Sequence, residues 1–239
     1  MIKSLLREML LFLRLDITKN LAYDRMSREL IRRYVRSSDN CVDVGAHKGE
    51  FLKYFTKQAP QGKHLAFEPI PQFYTDLKRR WGNRVEVYPY ALSDTSGKSE
   101  FQWVKNAPAY SGLKRRRYAV QNPDIKVITV ETKRLDDFQD LESSIRFIKI
   151  DVEGAEFLVL KGAKEILKKD RPFVLFEFGL GASDYYQNTA KELFQFFELL
   201  DYKLFNLKDI LQGRKALTLS AFENHYKNNL EYYFLAAPK

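Results

Sequence analysis

Acidic residues stand at regular places along the chain, each close to the end of a short apolar run. Asp43 precedes the turn "GAHKG", and Glu68 closes the run "HLAFE". Asp151 closes the run "FIKID", Glu153 follows two residues later, and Glu177 closes the run "FVLFE". Carboxylates can bind ribose hydroxyls, hold a cation or take the proton from a reacting hydroxyl. The spacing therefore predicts a catalytic or cofactor site, provided that the fold brings these runs together.

Apolar runs typical of strands alternate along the chain with stretches that have helical spacing. The runs cover residues 40–44, 63–69, 84–92, 145–151, 171–178 and 230–238, and the helical stretches cover 24–35, 48–58, 71–82 and 154–170. A further helix and strand fit within residues 190–207. This alternation predicts an α/β fold in which helices cover both faces of a parallel sheet.

Two extended segments, residues 97–104 and 124–135, interrupt the alternation on either side of a basic loop. They predict a β insertion after the third strand, where a crossover helix would otherwise stand. The sequence has no internal repeat and no interdomain linker. We therefore expect one α/β domain over residues 37–239, preceded by a helical extension over residues 1–36.

The carboxyl ends of parallel strands meet at one edge of a doubly wound sheet, and ligands bind in the crevice beyond that edge. The acidic residues at the strand ends are therefore expected to lie close together. Because carboxylates repel one another, such a cluster indicates a ligand, a cation or a set of hydrogen-bond donors.

The turn after the first strand indicates which cofactor the edge could bind. His47 stands between Gly45 and Gly49, where a dinucleotide-binding turn usually has its middle glycine. A dinucleotide carries a pyrophosphate, which needs close approach to bare backbone N–H groups. S-adenosylmethionine has no phosphate and carries cationic sulfonium and ammonium groups, which Asp43 would favour. Glu68 could hold the ribose of either cofactor, so an NAD-dependent oxidoreductase remains the alternative.

Six segments resemble, in order and spacing, the FkbM-type family of class I S-adenosylmethionine-dependent methyltransferases. They are "DVGAHKGEF", "FEPIPQFYTDL", "YALSDTSG", "LDDF", "FIKIDVEGAEFLVLKGA" and "FVLFEF". The resemblance implies a Rossmann-like, doubly wound, mostly parallel seven-stranded sheet. It also implies methylation of a hydroxyl oxygen, often on a sugar or a polyketide. One departure is His47, because the family often has asparagine there.

The resemblance also implies a cofactor site, in which the turn surrounds the methionine part, Glu68 holds the ribose and Ala91 with Leu92 flanks the adenine. The residues are Asp43, Gly45, Ala46, His47, Gly49, Glu68, Pro69, Ala91, Leu92 and Asp151. Asp151 would lie near both the sulfonium and the acceptor.

Methyl transfer from a sulfonium depends mainly on holding the acceptor oxygen in line, but a hydroxyl must also lose its proton. Asp151, Glu153 and Glu177 are the candidate bases, with His47 a weaker candidate. On neighbouring strands, Asp151 and Glu177 could share a proton or hold a divalent cation. We favour a site without metal, because no third ligand is evident in the sequence.

The acceptor is expected at the loop over residues 106–118. Its Tyr110, Ser111, Lys114 and Arg115 could stack on a sugar and bind an acidic group, and "GLGASDYY" would form a second rim. The same residue types suit RNA. An Asn-Pro-Pro-aromatic motif of base methyltransferases is absent from the sequence, so nucleic acid is the less favoured acceptor. An RNA or protein methyltransferase remains an alternative to one that acts on a sugar or related metabolite.

The composition excludes some kinds of site but leaves several kinds of partner open. The chain of 239 residues has a formal net charge of +9, one cysteine and three histidines. One cysteine excludes a disulfide within the chain, and the scattered histidines do not have the spacing of a zinc site. The positive charge fits nucleic acid, an anionic membrane surface or an acidic substrate. A non-catalytic basic domain that binds nucleic acid or a membrane is therefore a third hypothesis.

Residues 2–14 have apolar side chains at helical spacing, together with Lys3, Arg7 and Arg14. This pattern predicts an amphipathic helix. We expect it to pack against the rest of the protein or against a second subunit, and contact with a membrane surface is the alternative. No apolar run approaches the length of a membrane span and no secretory cleavage site is evident. A cytoplasmic location is therefore predicted, with membrane association through this helix as the alternative.

Overall fold

The computed structural model describes residues 18–138 and 144–239. The amphipathic helix predicted over residues 2–14 lies outside these residues. The helices are α1 (Lys19–Tyr34), α2 (Glu50–Gln58), α3 (Pro71–Trp81), α4 (Glu156–Lys161), α5 (Lys164–Lys169), α6 (Ala190–Leu199), α7 (Leu207–Leu211) and α8 (Leu219–Lys227). The strands are β1 (Asn40–Val44), β2 (His64–Phe67), β3 (Val85–Tyr88), β4 (Tyr90–Leu92), β5 (Gly97–Val104), β6 (Ile125–Lys133), β7 (Ile145–Ile150), β8 (Phe173–Glu177), β9 (Tyr202–Asn206) and β10 (Tyr233–Pro238).

The larger sheet has seven strands in the order β3-β2-β1-β7-β8-β10-β9. The first five strands in this order are parallel to their neighbours, and β10 runs antiparallel to both β8 and β9. In the centre, Asp43 of β1 is paired with Ala66 of β2 on one side and with Lys149 of β7 on the other. The predicted α/β class and the mostly parallel seven-stranded sheet are confirmed.

Alternate residues of the central strands face two separate apolar clusters. Val42 and Val44 join the cluster that contains residues of α4, α5, α6 and α8. Cys41 joins the cluster that contains residues of α1, α2 and α7. Since successive side chains of a strand point to opposite faces, helices cover both faces of the sheet.

Helix α1 packs onto the sheet within the apolar cluster that contains Cys41. Thr18 caps its first turn by accepting a hydrogen bond from the backbone N–H of Leu21. Tyr23, Leu30 and Ile31 are buried in the cluster that also holds Cys41 of β1. The described part of the predicted helical extension therefore packs directly on the body of the protein. The domain boundary before residue 37 stays a prediction.

A second sheet has three strands in the order β4-β6-β5, with β5 antiparallel to β6 and β4 parallel to it. It forms the β insertion expected from the sequence. The third strand, predicted as one run over residues 84–92, is divided between the two sheets at Pro89. Proline has no N–H to donate to a strand neighbour, so the ladder is interrupted there and β4 continues in the smaller sheet.

The helix predicted over residues 154–170 is also divided, into α4 and α5. A Cβ atom on Gly162 would lie 2.0 Å from the carbonyl oxygen of Ser93. The backbone of this turn therefore lies directly against the segment after β4, which only glycine permits. The short helices α7 and α8 were not predicted, because five residues show too little periodicity in α7 and because α8 buries only Phe222.

Candidate active site

A cavity of about 220 Å³ opens at the carboxyl ends of the central strands. Its wall includes the turn after β1, the end of β2, strand β4, the end of β7 and the loop after β5. Several predicted site residues line it, namely Gly45, Ala46, His47, Glu68, Pro69, Ala91, Leu92, Ser111, Asp151 and Glu153. Other predicted site residues lie outside this wall, namely Asp43, Gly49, Tyr110, Lys114, Arg115 and Glu177. Most of the predicted site residues therefore lie around one cavity at the carboxyl ends of the strands.

The turn after β1 is held by hydrogen bonds from its own N–H groups. The N–H groups of Gly45 and Ala46 both donate to the carbonyl oxygen of Phe67, each at 3.0 Å. The N–H of His47 donates to Oε2 of Glu68 at 2.8 Å. Gly45 has a φ of +74°, and a Cβ atom there would lie 2.0 Å from the carbonyl oxygen of Asp151. These contacts fix the turn against the ends of both neighbouring strands.

Glu68 is almost completely buried in the wall. Its Oε1 accepts the N–H of Ile70 at 2.9 Å, while Oε2 accepts the N–H of His47. Burial raises the pKa of Glu68 to about 7, although these two donors favour the ionised form. An ionised carboxylate has further lone pairs, so Glu68 can still accept hydrogen bonds from a ligand.

His47 lines the cavity as a neutral imidazole. Burial and the nearby lysines Lys48 and Lys149 lower its pKa to about 4. Its ring packs edge-on against Phe73, with 4.5 Å between ring centroids, and its Nε2 is buried without a hydrogen-bond partner. An imidazole with so low a pKa is a weak proton acceptor, and this property favours a lining role for His47 over a role as the base.

Lys149, which the sequence did not single out, lies at the centre of the site. Its Nζ donates to the carbonyl oxygen of Gly45 at 2.8 Å and also lies 3.4 Å from that of Val44. It is 3.2 Å from Oδ1 of Asp43 and 3.8 Å from Oδ2 of Asp151. The side chain is 5% exposed, and the surrounding carboxylates, chiefly Asp43, raise its pKa despite burial. A lysine inside the apolar run "FIKID" was the signal that could have revealed it.

Asp43 lies beneath the cavity wall, so its charge affects the cavity only through its contact with Lys149. Its carboxylate is completely buried, and neither oxygen has a hydrogen-bond partner apart from the contact with the Lys149 ammonium. Burial raises the pKa of Asp43, and the charge of Lys149 opposes this effect. The predicted direct contact of Asp43 with a cofactor is not evident in this geometry.

Asp151, Glu153 and Glu177 offer carboxylate oxygens that all lie within 4.8 Å of one another. Oδ2 of Asp151 accepts a hydrogen bond from the Tyr233 hydroxyl at 2.6 Å. Burial, together with the charge of Asp151, raises the pKa of both Glu153 and Glu177 well above the ordinary range. Tyr233 lines the cavity from β10, where it is paired with Glu177.

These three carboxylates form a group that could hold a divalent cation, with Glu153 as the third ligand that the sequence did not identify. However, Arg116 forms an ion pair with Glu153, and Tyr233 donates to Asp151. These side chains therefore already offset part of the negative charge that a bound cation would neutralise. A metal is thus the less favoured alternative.

The loop after β5 is fastened to the rim formed by residues 179–186. The N–H of Lys114 donates to the Tyr186 hydroxyl at 3.1 Å, and the N–H of Arg117 donates to the Tyr185 hydroxyl at 3.0 Å. Nη1 of Arg116 donates to the carbonyl oxygen of Gly181 at 2.9 Å. The two predicted rims thus contact each other, and Arg116 rather than Lys114 or Arg115 reaches the carboxylates.

Replacing Lys149 by methionine is expected to destabilise the protein, because it leaves Asp43 buried without a counter-charge. Such a loss typically costs about 3 to 5 kcal/mol, which chemical denaturation can measure. The double variant Asp43→Asn with Lys149→Met removes both charges and is expected to recover most of that loss. Lys126→Met, at an exposed lysine on β6, is the matched control. Equal losses in the single and double variants would contradict the pairing.

A second prediction concerns Glu156, whose Oε1 accepts the N–H groups of Val152 and Gly154. Burial raises its pKa from 4.5 to about 7. The folded chain therefore holds this proton more tightly than the unfolded chain, so the stabilisation is complete below pH 4.5 and is lost as the pH rises through about 7. The unfolding free energy is expected to fall from about pH 5 to about pH 8.

Glu156→Gln keeps an acceptor oxygen but cannot ionise, so this fall should be smaller in the variant. Glu198→Gln, at an exposed position of α6, serves as the control and should leave the slope unchanged. Denaturant titrations at several pH values measure the slope. An unchanged slope in Glu156→Gln would show that ionisation of Glu156 does not contribute to the pH dependence of the unfolding free energy.

Comparison with known proteins gives the family. The Methyltransferase FkbM domain matches residues 43–204. The chain is 34% identical over 156 residues to Methyltransferase sdnD of Sordaria araneosa, covering 52% of this chain and 60% of that protein. It is 27% identical over 163 residues to 2-O-methyltransferase NoeI of Sinorhizobium fredii, covering 62% of this chain and 66% of that protein. The chain thus spans slightly less than two thirds of each relative.

A solved structure, Methyltransferase FkbM from Methylobacillus flagellatus, has a similar fold, with a TM-score of 0.50 and 16% identity. The similarity covers 91% of this chain and 52% of that chain. The family match spans the turn after β1, Glu68 and all three clustered carboxylates, and it covers well over half of the chain. The protein therefore belongs to the FkbM methyltransferase family, with the Rossmann-like fold of class I methyltransferases.

Proposed function

We propose that this methyltransferase uses S-adenosylmethionine to methylate a hydroxyl oxygen on a sugar or related metabolite. The observation that carries the choice of cofactor is the hydrogen bonding of the turn after β1. Its three successive N–H groups, from Gly45 to His47, are engaged by the Phe67 carbonyl and the Glu68 carboxylate. A pyrophosphate would need these donors, and the adjacent carboxylate would repel it. The arrangement thus speaks against NAD.

The charges around the cavity support a cationic cofactor. Among the described residues, five acidic side chains line the cavity against two lysines, Lys48 and Lys149; the acids are Asp24, Glu50, Glu68, Asp151 and Glu153. The sulfonium and ammonium groups of S-adenosylmethionine would offset the remaining negative charge. The same cavity has apolar walls, from Ile70, Ala91, Leu92 and Phe101, that suit an adenine ring.

S-adenosylmethionine supplies a methyl group on a sulfonium, which is an activated leaving group. In the proposed reaction the chain holds the acceptor oxygen in line and takes its proton. Asp151 is the preferred base, because it lines the cavity and because Tyr233 fixes its carboxylate by donating to Oδ2. Glu153 is engaged by Arg116, and Glu177 lies outside the wall with a raised pKa that favours its protonated form.

The acceptor class is supported by the loop after β5 and by one relative. Ser111 lines the cavity, and the Tyr110 ring lies beside the guanidinium of Arg116, with 5.4 Å from its centroid to Cζ. Lys114 and Arg115 are exposed at the rim, where an acidic group on the acceptor could reach them. The relative from Sinorhizobium fredii is named a 2-O-methyltransferase, which supports oxygen as the atom that receives the methyl group.

The cofactor is tested by calorimetry with S-adenosylmethionine, S-adenosylhomocysteine and NAD. We expect both sulfur compounds to bind and NAD not to bind. Glu68→Gln should weaken the binding of the sulfur compounds by about tenfold or more, because hydrogen bonds to a charged group contribute about 1.5 to 3 kcal/mol. Glu86→Gln, at an exposed position of β3, is the control. Binding of NAD but of neither sulfur compound would refute the proposal.

The reaction is tested by transferring a labelled methyl group from S-adenosylmethionine into glycan, RNA and protein fractions of a cell extract. Label is expected in the glycan or small-metabolite fraction. Asp151→Asn should lower the transfer rate by about 10²- to 10⁴-fold while S-adenosylhomocysteine still binds, because general base catalysis contributes that much. Label in RNA or protein would identify one of the alternatives. Loss of transfer in chelator, restored by Mg²⁺, would show that a metal is needed.

A further inference from the structure

A second and larger groove is lined by residues of α1 that do not line the active-site cavity. It has a volume of about 1480 Å³ and is formed by α1, α2 and α7. None of its lining residues lines the active-site cavity. We call it the basic groove because its lining includes Lys19, Arg25, Arg28, Arg32, Arg33, Lys53, Lys57 and Lys208.

The charge of the basic groove is strongly one-sided. Eight basic residues stand against two acidic ones, Glu29 and Glu231. Glu29 pairs with Arg32 at 3.4 Å. Lys19 donates to the carbonyl oxygen of Leu230, which is neutral, so the lysine charge is not cancelled. The groove therefore attracts anions, and it does so without any contribution from the active site.

The positions of the basic groups suit a broad anionic surface. Lys53 and Lys57 lie one turn apart on α2, Lys208 lies on α7, and all three are exposed. Apolar side chains, such as Met26 and Leu211, also line the groove. Long basic side chains can cover apolar surface with their stems while their charged ends meet anionic groups.

The chain sequence favours a membrane over a nucleic acid as the source of these anions. Residues 2–14, just before α1, combine apolar residues at helical spacing with Lys3, Arg7 and Arg14. Such a pattern is typical of helices at a membrane interface. Sequence-tolerant binding of single-stranded nucleic acid uses aromatic rings on which bases stack. In the groove, the ring of Tyr54 is already covered by Arg28, whose Cζ lies 4.3 Å from the ring centroid.

We propose that the basic groove docks the protein on a membrane surface that contains anionic phospholipids. Juxtamembrane basic residues are attracted to such surfaces, and the attraction falls off within a Debye length. The contact is peripheral, and no helix in the described ranges, 18–138 and 144–239, is long and apolar enough to cross a membrane. The proposal does not depend on the identity of the cofactor or of the acceptor.

The test is flotation of the full chain with vesicles of phosphatidylcholine alone and with vesicles that also contain phosphatidylserine. We expect binding to the mixed vesicles to be at least about tenfold tighter, and to weaken steeply as salt is added. The triple variant Lys53→Glu, Lys57→Glu, Lys208→Glu should lose at least about tenfold in affinity for the mixed vesicles. It should keep the unfolding free energy of the unmodified protein, measured by chemical denaturation, which distinguishes lost docking from a lost fold whatever the cofactor is.

The matched control is Lys98→Glu, Lys126→Glu, Lys191→Glu, which makes the same change of net charge at exposed lysines outside the groove. It should bind the mixed vesicles like the unmodified protein. Equal binding to both kinds of vesicle, or equal losses in the two triple variants, would overturn the proposal. So would a groove variant that loses affinity for an RNA oligonucleotide while it still binds the vesicles.

Discussion

The ammonium group of Lys149 is the contact on which the rest of the site depends. It lies between the backbone carbonyls of Val44 and Gly45, at the end of β1 and in the turn after it, and the carboxylates of Asp43 and Asp151. Without a cation here, two acidic side chains would face each other in a medium of low dielectric constant, where charges interact strongly. The pairing of Asp43 with Lys149 is set by the register of β1 against β7. A slip of one residue would reverse the facing of every side chain of the strand.

Two residues of the cavity wall have a positive φ, which residues other than glycine rarely adopt, and each is held by a polar contact. His47 has a φ of +48°, and its N–H donates to Glu68. Glu153 has a φ of +61°, and its side chain is paired with Arg116. Strained positions of this kind persist only where their surroundings hold them in place, and they cluster at functional sites. The buried Glu68 and the fastened loop after β5 provide that restraint.

The sequence allowed the sheet and the strand-end acids to be predicted because both follow from local patterns. The acids that end β2, β7 and β8 were identified from apolar runs alone. Lys149 was missed because it stands inside such a run. Tyr233, and the ion pair made by Arg116 of the predicted basic loop, were missed for a different reason, since their contacts with Asp151 and Glu153 join residues 82 and 37 positions apart. Such contacts depend on the register of β10 and on the path of a loop, which no local pattern encodes.

The place of β10 in the sheet has a consequence for the order of folding. This strand is the last of the described chain, yet it lies inside the sheet, between β8 and β9. The first five strands of the sheet can pair as the chain emerges from the ribosome, but β9 cannot join them before β10 arrives. Asp151 also lacks its Tyr233 donor until then. Closure of the sheet and completion of the hydrogen bonding of Asp151 are thus one late, long-range event, which is intrinsically slow.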